Sequence, residues 1–192
     1  MPRQSWFAIF TVLLAIAPAC SGGSGGESPV PPSKGKSTTT GGGTPAEPVK
    51  RARVRLRSGN GSKATGTATL SLQGTRLTLS LKGSGVVPSQ EHLLRLHRRP
   101  GGARSTCPPA SADADRNKIV NVREGVRFHG PSILALKPFP KADAGGRISY
   151  SKTRQVKDAK LLDGAVLILS GAKPNKKYKP RIPVACGQVS LK

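Results

Sequence analysis

A strict alternation of polar and apolar residues limits what this chain can fold into more than any other feature. Residues 51–57 read RARVRLR, with Ala52, Val54 and Leu56 on one parity and Arg51, Arg53, Arg55 and Arg57 on the other. Successive side chains of a strand point to opposite faces. The run therefore predicts a strand with one apolar face and one face of guanidinium groups. Thr67, Thr69 and Ser71 alternate with Ala68, Leu70 and Leu72, and residues 76–81 place Leu77, Leu79 and Leu81 on one side. Such runs are half-buried antiparallel strands with a solvated face. The connectors are turn-rich: SGNGS at 58–62, then Gln73-Gly74, which is short enough only for a hairpin. Further strands are predicted at 91–97, 132–136, 147–150, 165–169 and 184–191, and residues 152–162 read as a short helix. About eight short strands without an internal repeat predict an all-β sandwich or flattened barrel with Greek-key connections over residues 49–192. The 23 Gly and 17 Pro agree, since both interrupt long helices.

Residues 1–19 read as an export signal. Arg3 precedes an apolar run from Trp6 to Ala17, too short for the roughly 20 residues that span a bilayer. Ala17-Pro18-Ala19-Cys20 resembles the bacterial lipobox, which implies that Cys20 is acylated and becomes the first residue of a membrane-anchored lipoprotein. Ser21 resembles an outer-membrane sorting position for a host with two membranes. Residues 20–48 carry Gly, Ser, Pro and Thr without apolar periodicity, which predicts a flexible tether. With Cys20 set aside, Cys107 and Cys186 remain, and in an exported chain such a pair predicts one disulfide.

The charge balance points to partners. Lys and Arg number 32 against 9 Asp and Glu, a net charge of +23. A field of this sign attracts polyanions. The cations fall into three runs: Arg51, Arg53, Arg55 and Arg57; Arg98, Arg99 and Arg104; and Lys173, Lys176, Lys177, Lys179 and Arg181. Expected partners are the membrane through the lipid anchor, and anionic lipids or envelope polysaccharides through the basic faces. Export, and a 4% share of aromatics, weigh against nucleic acid, whose single strands are held by stacking. No pattern specifies an oligomeric state. Length and composition exclude a multi-domain enzyme and a multispanning membrane protein. No Ser/His/Asp or Cys/His set can be assembled, and no Gly-rich phosphate loop follows a strand.

Three stretches carry a resemblance to a known family. Residues 90–97 read QEHLLRLH, Cys107 follows in the next loop, and residues 184–189 read VACGQV. Over residues 50–192 these resemble the copper–zinc superoxide dismutase fold and its non-enzymatic relatives, including CHRD-type domains. The resemblance implies a Greek-key β-domain and a Cys107–Cys186 disulfide. It places His92 at a structural histidine, Arg95 where a copper ligand belongs, and His97 on a second copper ligand. Ser170-Gly171 stands where a further ligand is expected, and Pro183 near the steering arginine, with Arg181 close by. The chain has three His, the last being His129, too few for the copper and zinc ligands. Copper and zinc are therefore not expected, and dismutase activity reads as lost. An atypical dismutase is the enzymatic alternative. His92 and His97 read as strand packing and a surface side chain.

Residues 113–124 read DADRNKIVNVRE. Oxygen ligands at positions one, three, five, nine and twelve resemble the EF-hand calcium loop. The resemblance implies side-chain ligation by Asp113, Asp115, Asn117 and Glu124, the carbonyl of Ile119, Asn121 directly or through water, and a short strand contact at Val120. Position six should be Gly and is Lys118, and Arg116, Lys118 and Arg123 interleave the three carboxylates. Calcium binding, if present, is expected to be weak, in the millimolar range of extracellular sites. The competing reading is a loop held by Asp–Arg pairs and Asx turns. Together these features predict a lipid-anchored, non-catalytic envelope module, with a weak calcium-binding module as another alternative.

Overall fold

Each alternating run forms a strand. The computed structural model describes residues 47–192; the predicted signal, Cys20 and the tether through residue 46 lie outside the described residues. The strands are β1 (Lys50–Ser58), β2 (Thr65–Gln73), β3 (Arg76–Ser84), β4 (Leu93–His97), β5 (Ser132–Ala135), β6 (Ile148–Gln155), β7 (Val166–Ala172) and β8 (Lys179–Gln188). They form one antiparallel sheet in the order β5-β4-β7-β8-β1-β2-β3-β6, curled into a half-barrel. The chain crosses from β3 to β4 and returns at β6, so strands distant in sequence are neighbours. The fold is all-β with one disulfide, Cys107–Cys186.

The inner parity supplies the core. Val54, Leu56, Leu70, Leu77, Leu79 and Leu81 pack in one cluster with Leu94, Leu96, Leu167 and Leu169. Each such side chain stabilises by about 1.5–3 kcal/mol when fully buried. The backbone ladder stops at β5 and β6. Side chains bridge the gap instead: the Tyr150 hydroxyl donates to the Leu136 carbonyl at 2.6 Å, and Arg154 donates to the Lys137 carbonyl.

Two expectations need correction. Residues 152–155 are not helical but continue β6, and only Ala159–Leu162 forms a 3-10 turn. The hydroxyl alternation of Ser149, Ser151 and Thr153 explains this, because Ser151 and Thr153 bond Ser80 and Thr78 of β3 at 3.0 and 2.9 Å. The strand predicted from 184 begins five residues earlier, at Lys179. An unpredicted helix, α1 (Val122–His129), starts at a capping box: Asn121 Oδ1 accepts the Arg123 and Glu124 amides, and Glu124 Oε2 accepts the Asn121 amide.

The segment 98–131, including α1, is tied to the outer face of β4, β7 and β8. The disulfide joins it to β8, the Ser105 amide donates to the Gly164 carbonyl at 2.9 Å, and Gln188 Nε2 donates to the Ser105 carbonyl at 2.8 Å. Val166 and Ile168, whose parity faces away from the main core, are consequently buried.

Candidate functional site

Three groups of side chains bear on function, and the first is the open face of β1, β2, β3 and β6. Register sets its rows. Arg51 lies beside Ser71, which pairs with Thr78; Arg53 beside Thr69 and then Ser80 and Ser151; Arg55 beside Thr67 and then Lys82. The four predicted arginines of β1 are all exposed, while Ala52, Val54 and Leu56 between them are buried. None of these four strands contains Asp or Glu. A groove of about 970 Å³ runs over the face, walled by Arg53, Arg55, Arg57, Lys82 and Arg147, with Thr67, Thr69 and Ser80 along its floor and sides. Gly66 and Gly83 stand opposite each other in register and also line it; a Cβ at Gly66 would lie 2.7 Å from the Lys82 carbonyl oxygen. Sequence reasoning found the β1 arginines and missed Lys82 and Arg147, which come from distant segments.

The other cationic runs lie elsewhere. Lys173, Lys176, Lys177, Lys179 and Arg181 are exposed on the β7–β8 connection and the start of β8, outside the groove. Arg98 is structural: its guanidinium donates to the carbonyls of Gly164 at 2.7 Å and Gly102 at 3.0 Å.

The second group is the 113–124 loop. Carboxylate oxygens of Asp113, Asp115 and Glu124 lie within 4.8 Å of one another, the one cluster of three or more His, Cys, Asp or Glu among the described residues placed to hold a metal. The loop's own amides already engage these oxygens. Asp113 accepts from Asn117 N at 3.2 Å and Lys118 N at 2.7 Å, and Glu124 Oε1 from Ala114 N at 2.9 Å. Asn117 donates through its side chain to Asp115 at 2.8 Å and accepts from Ile119 N at 2.8 Å. The Asn121 oxygen, expected as a ligand, is occupied as the helix cap. The expected Asx turns are present at Asp115 and Asn117. Lys118 adopts φ 66 and Arg116 φ 57, so the sharp turn forms without glycine at roughly 1–2 kcal/mol of strain per residue.

Val120 finds an unforeseen partner. Its amide donates to Asn60 Oδ1 at 2.7 Å, and Asn60 Nδ2 donates to the Val120 carbonyl at 3.0 Å and to the Pro183 carbonyl at 2.8 Å. The side-chain amide thus imitates a strand neighbour. The glycines around Asn60 signalled a turn but nothing about this clip.

The third group is a histidine pair. His97 is not a surface side chain. It is buried against buried His129, with ring centroids 4.5 Å apart. Both Nδ1 atoms donate to the Gly130 carbonyl, at 3.1 Å from His97 and 2.6 Å from His129, so each carries its proton on Nδ1. Burial is the main cause that pushes the His97 pKa down to about 4; the Gly130 bond opposes it, and His129 and Arg95 add to it. Burial also lowers His129, against its bond to Gly130. His92 is buried as expected, donating through Nε2 to the Val87 carbonyl at 3.0 Å and packing edge-on against Tyr178.

These residues do not fit the copper and zinc set that the family resemblance implies. Arg95 has no lone pair to offer, and its guanidinium carbon lies 5.9 Å from the Phe139 ring centre. Ser170-Gly171 adds no imidazole. A redox copper needs several imidazoles in defined geometry, which Arg95, His97 and Ser170-Gly171 do not supply. Compared with known families and with curated proteins, the sequence matches none of either.

Proposed function

We propose that this protein is an exported, membrane-tethered, non-catalytic binding module whose open sheet face engages anionic components of the cell envelope. The observation that carries this reading is the groove over β1–β3, where four cations of strands free of carboxylates meet a fifth, Arg147, from the turn before β6. The strand fixes where each exposed guanidinium stem begins, and the planar fork loses less freedom per hydrogen bond formed than an ammonium does; ordering the free stems is a cost that association must offset. The lipobox-like Cys20 and the tether would hold the domain close to the envelope, raising the effective concentration of its target. The superoxide dismutase-like ancestry remains part of this reading; the replaced ligands remove its redox chemistry. The test is binding of the mature protein to isolated envelope polyanions across a salt series. Association that weakens steeply with ionic strength is expected, and association indifferent to salt would count against the reading.

A second reading is favoured by the carboxylate triad of Asp113, Asp115 and Glu124: a weak calcium-binding loop beside the disulfide. Calorimetry with Ca²⁺ on the native protein and on Glu124→Gln tests it. Heat lost in the variant supports the reading, and equal heats remove it.

A further inference from the structure

The groove is one part of a longer trough. Beside it lies a depression of about 550 Å³ lined by Arg51 and Lys192, which shares Arg53, Thr69 and Ser80 with the groove. At the other end lies one of about 500 Å³ lined by Lys141 and by Asp143, whose carboxylate accepts the Arg147 and Gly145 amides; it shares Lys82 and Arg147 with the groove. The three adjoin, so a recess runs from Arg51 along β1 and over the strand ends to Lys141. We infer that this trough takes a linear phosphodiester polymer of a small polyol, extended along β1 with one phosphate at each of Arg51, Arg53, Arg55 and Arg57. The inference rests on the anion-binding reading above and adds the chemical class and the direction of the ligand.

The spacing argument is geometric. Alternate residues of a strand repeat at about 7 Å, so the four arginines mark a comb about 20 Å long. Two residues of peptide contain six backbone bonds. A three-carbon polyol joined through phosphates also places six bonds between successive phosphorus atoms. Two extended chains with equal bond counts have nearly equal repeats, about 7 Å, so phosphate and guanidinium stay in step along the whole comb. Guanidinium groups match phosphate oxygens in a two-point fork. The hydroxyls of Thr67, Thr69 and Ser71 run parallel to the arginines on the neighbouring strand, at the same period, and can bond the polyol oxygens.

What lines the trough also separates ligand classes. Among the described residues, no Phe, Tyr or Trp contributes to any of its three parts. Bases therefore find no ring to stack on, which leaves charge and hydroxyl contacts as the means of recognition. A recessed track admits a chain better than a flat bilayer surface, and it presents no exposed large apolar side chain for insertion; the three such residues among those described are Val49, Val126 and Leu161.

The experiment uses the mature protein and synthetic glycerol-phosphate oligomers of two, four and eight repeats. Inorganic polyphosphate, whose charges are much closer together, and phosphatidylglycerol vesicles serve as comparison probes. Dissociation constants are measured by calorimetry over a salt series for the native chain, for R53Q/R55Q, and for K176Q/K177Q. Affinity should rise steeply from two to four repeats and then level, because the comb holds four phosphates. The R53Q/R55Q chain should lose at least tenfold, with its salt slope reduced by about 1.4, while K176Q/K177Q stays within twofold of native. Equal affinity per charge for polyphosphate or vesicles, or no step between two and four repeats, would overturn the inference while leaving the anion-binding reading intact; the same loss in both variants would overturn the placement on the open face, and with it both readings. Failure of every polyanion to bind would overturn both.

Discussion

The sheet divides into two halves of similar strands with opposite fates for their outer faces. In β1 only Ala52, Val54 and Leu56 are buried, and the other parity meets solvent. In β7 every residue from Val166 through Gly171 is buried. Among the described residues the difference is the 98–131 segment, which lies over one half and not over the other. Covering has converted an outer face into a second small core: His97, Val166 and Ile168 now pack where solvent or ligand would otherwise reach. On the bare half the same parity carries arginine and hydroxyls. Among the described residues, the same parity is thus polar where no segment lies over it, and packs where one does.

Releasing the cover breaks this contrast most severely. The Cys107–Cys186 bond closes a loop of sequence separation 79, for which chain entropy predicts about 4.5 kcal/mol of stabilisation. Cys107→Ala with Cys186→Ala should lose that amount in denaturant titration. Hydrogen exchange should also show protection falling in 98–131 and on β7 and β8 before β1–β3. Equal loss of protection in both halves would mean that the cover is not a separable layer.

Acid attacks the same half by another route. His97 is held neutral in the fold, with its pKa pushed down to about 4 from an ordinary 6.5. In the unfolded chain it takes a proton near pH 6.5, and in the folded chain only near pH 4. The stabilisation is therefore complete above pH 6.5 and is lost as pH falls through 4, by about 3 kcal/mol. Burial lowers His129 as well and adds to the same trend. Denaturant midpoints measured from pH 7 to pH 4 should fall for the native protein and fall less for His97→Gln. Parallel curves would show that His97 does not control the acid response.

The halves also differ in how much of them could be read beforehand. Solvent on one side of β1, β2 and β3 enforces alternation, so their strands, their core residues and the arginine comb were visible in the sequence. β7 reads VLILSGA, and burial on both faces leaves no parity that distinguishes one from the other. Helix α1 reads VREGVRFH, with too few apolar residues for a stripe; only Asn121 with Glu124 three positions later announced it. The carboxylate triad was legible because its residues are close in sequence. The His97–His129 pair was not, since 32 positions separate them and only the crossover brings them together. Asn60 was read as part of a turn, because a side chain that pairs with backbone leaves no pattern.

That clip is the next place to test the cover. Asn60→Ala removes the bonds to Val120 and Pro183 and leaves the Val120 amide without its partner. A cost of about 2 kcal/mol is expected, together with faster exchange at Val120 and in the 113–121 loop. Asn60→Asp keeps the acceptor for the Val120 amide and should recover part of the loss. Within that loop, Lys118→Gly relieves the φ of 66 and should stabilise by about 1 kcal/mol; an unchanged midpoint would mean the lysine adopts that turn without strain.

The smallest effect is expected on the bare half, and it separates binding from stability. Arg53 and Arg55 are exposed, in strands without carboxylates, beside like charges at alternate positions of β1. Neighbours about 7 Å apart lie within the roughly 8 Å screening length of physiological salt, so their mutual repulsion opposes folding. Arg53→Gln with Arg55→Gln should therefore leave the folding midpoint within about 0.5 kcal/mol of native, and raise it slightly as salt is withdrawn. A packing role for the arginine stems would give the opposite sign, a midpoint that falls at every ionic strength. Stability preserved while polyanion affinity drops would place the β1 arginines on the side of function, as the disulfide and His97 belong to the side of packing.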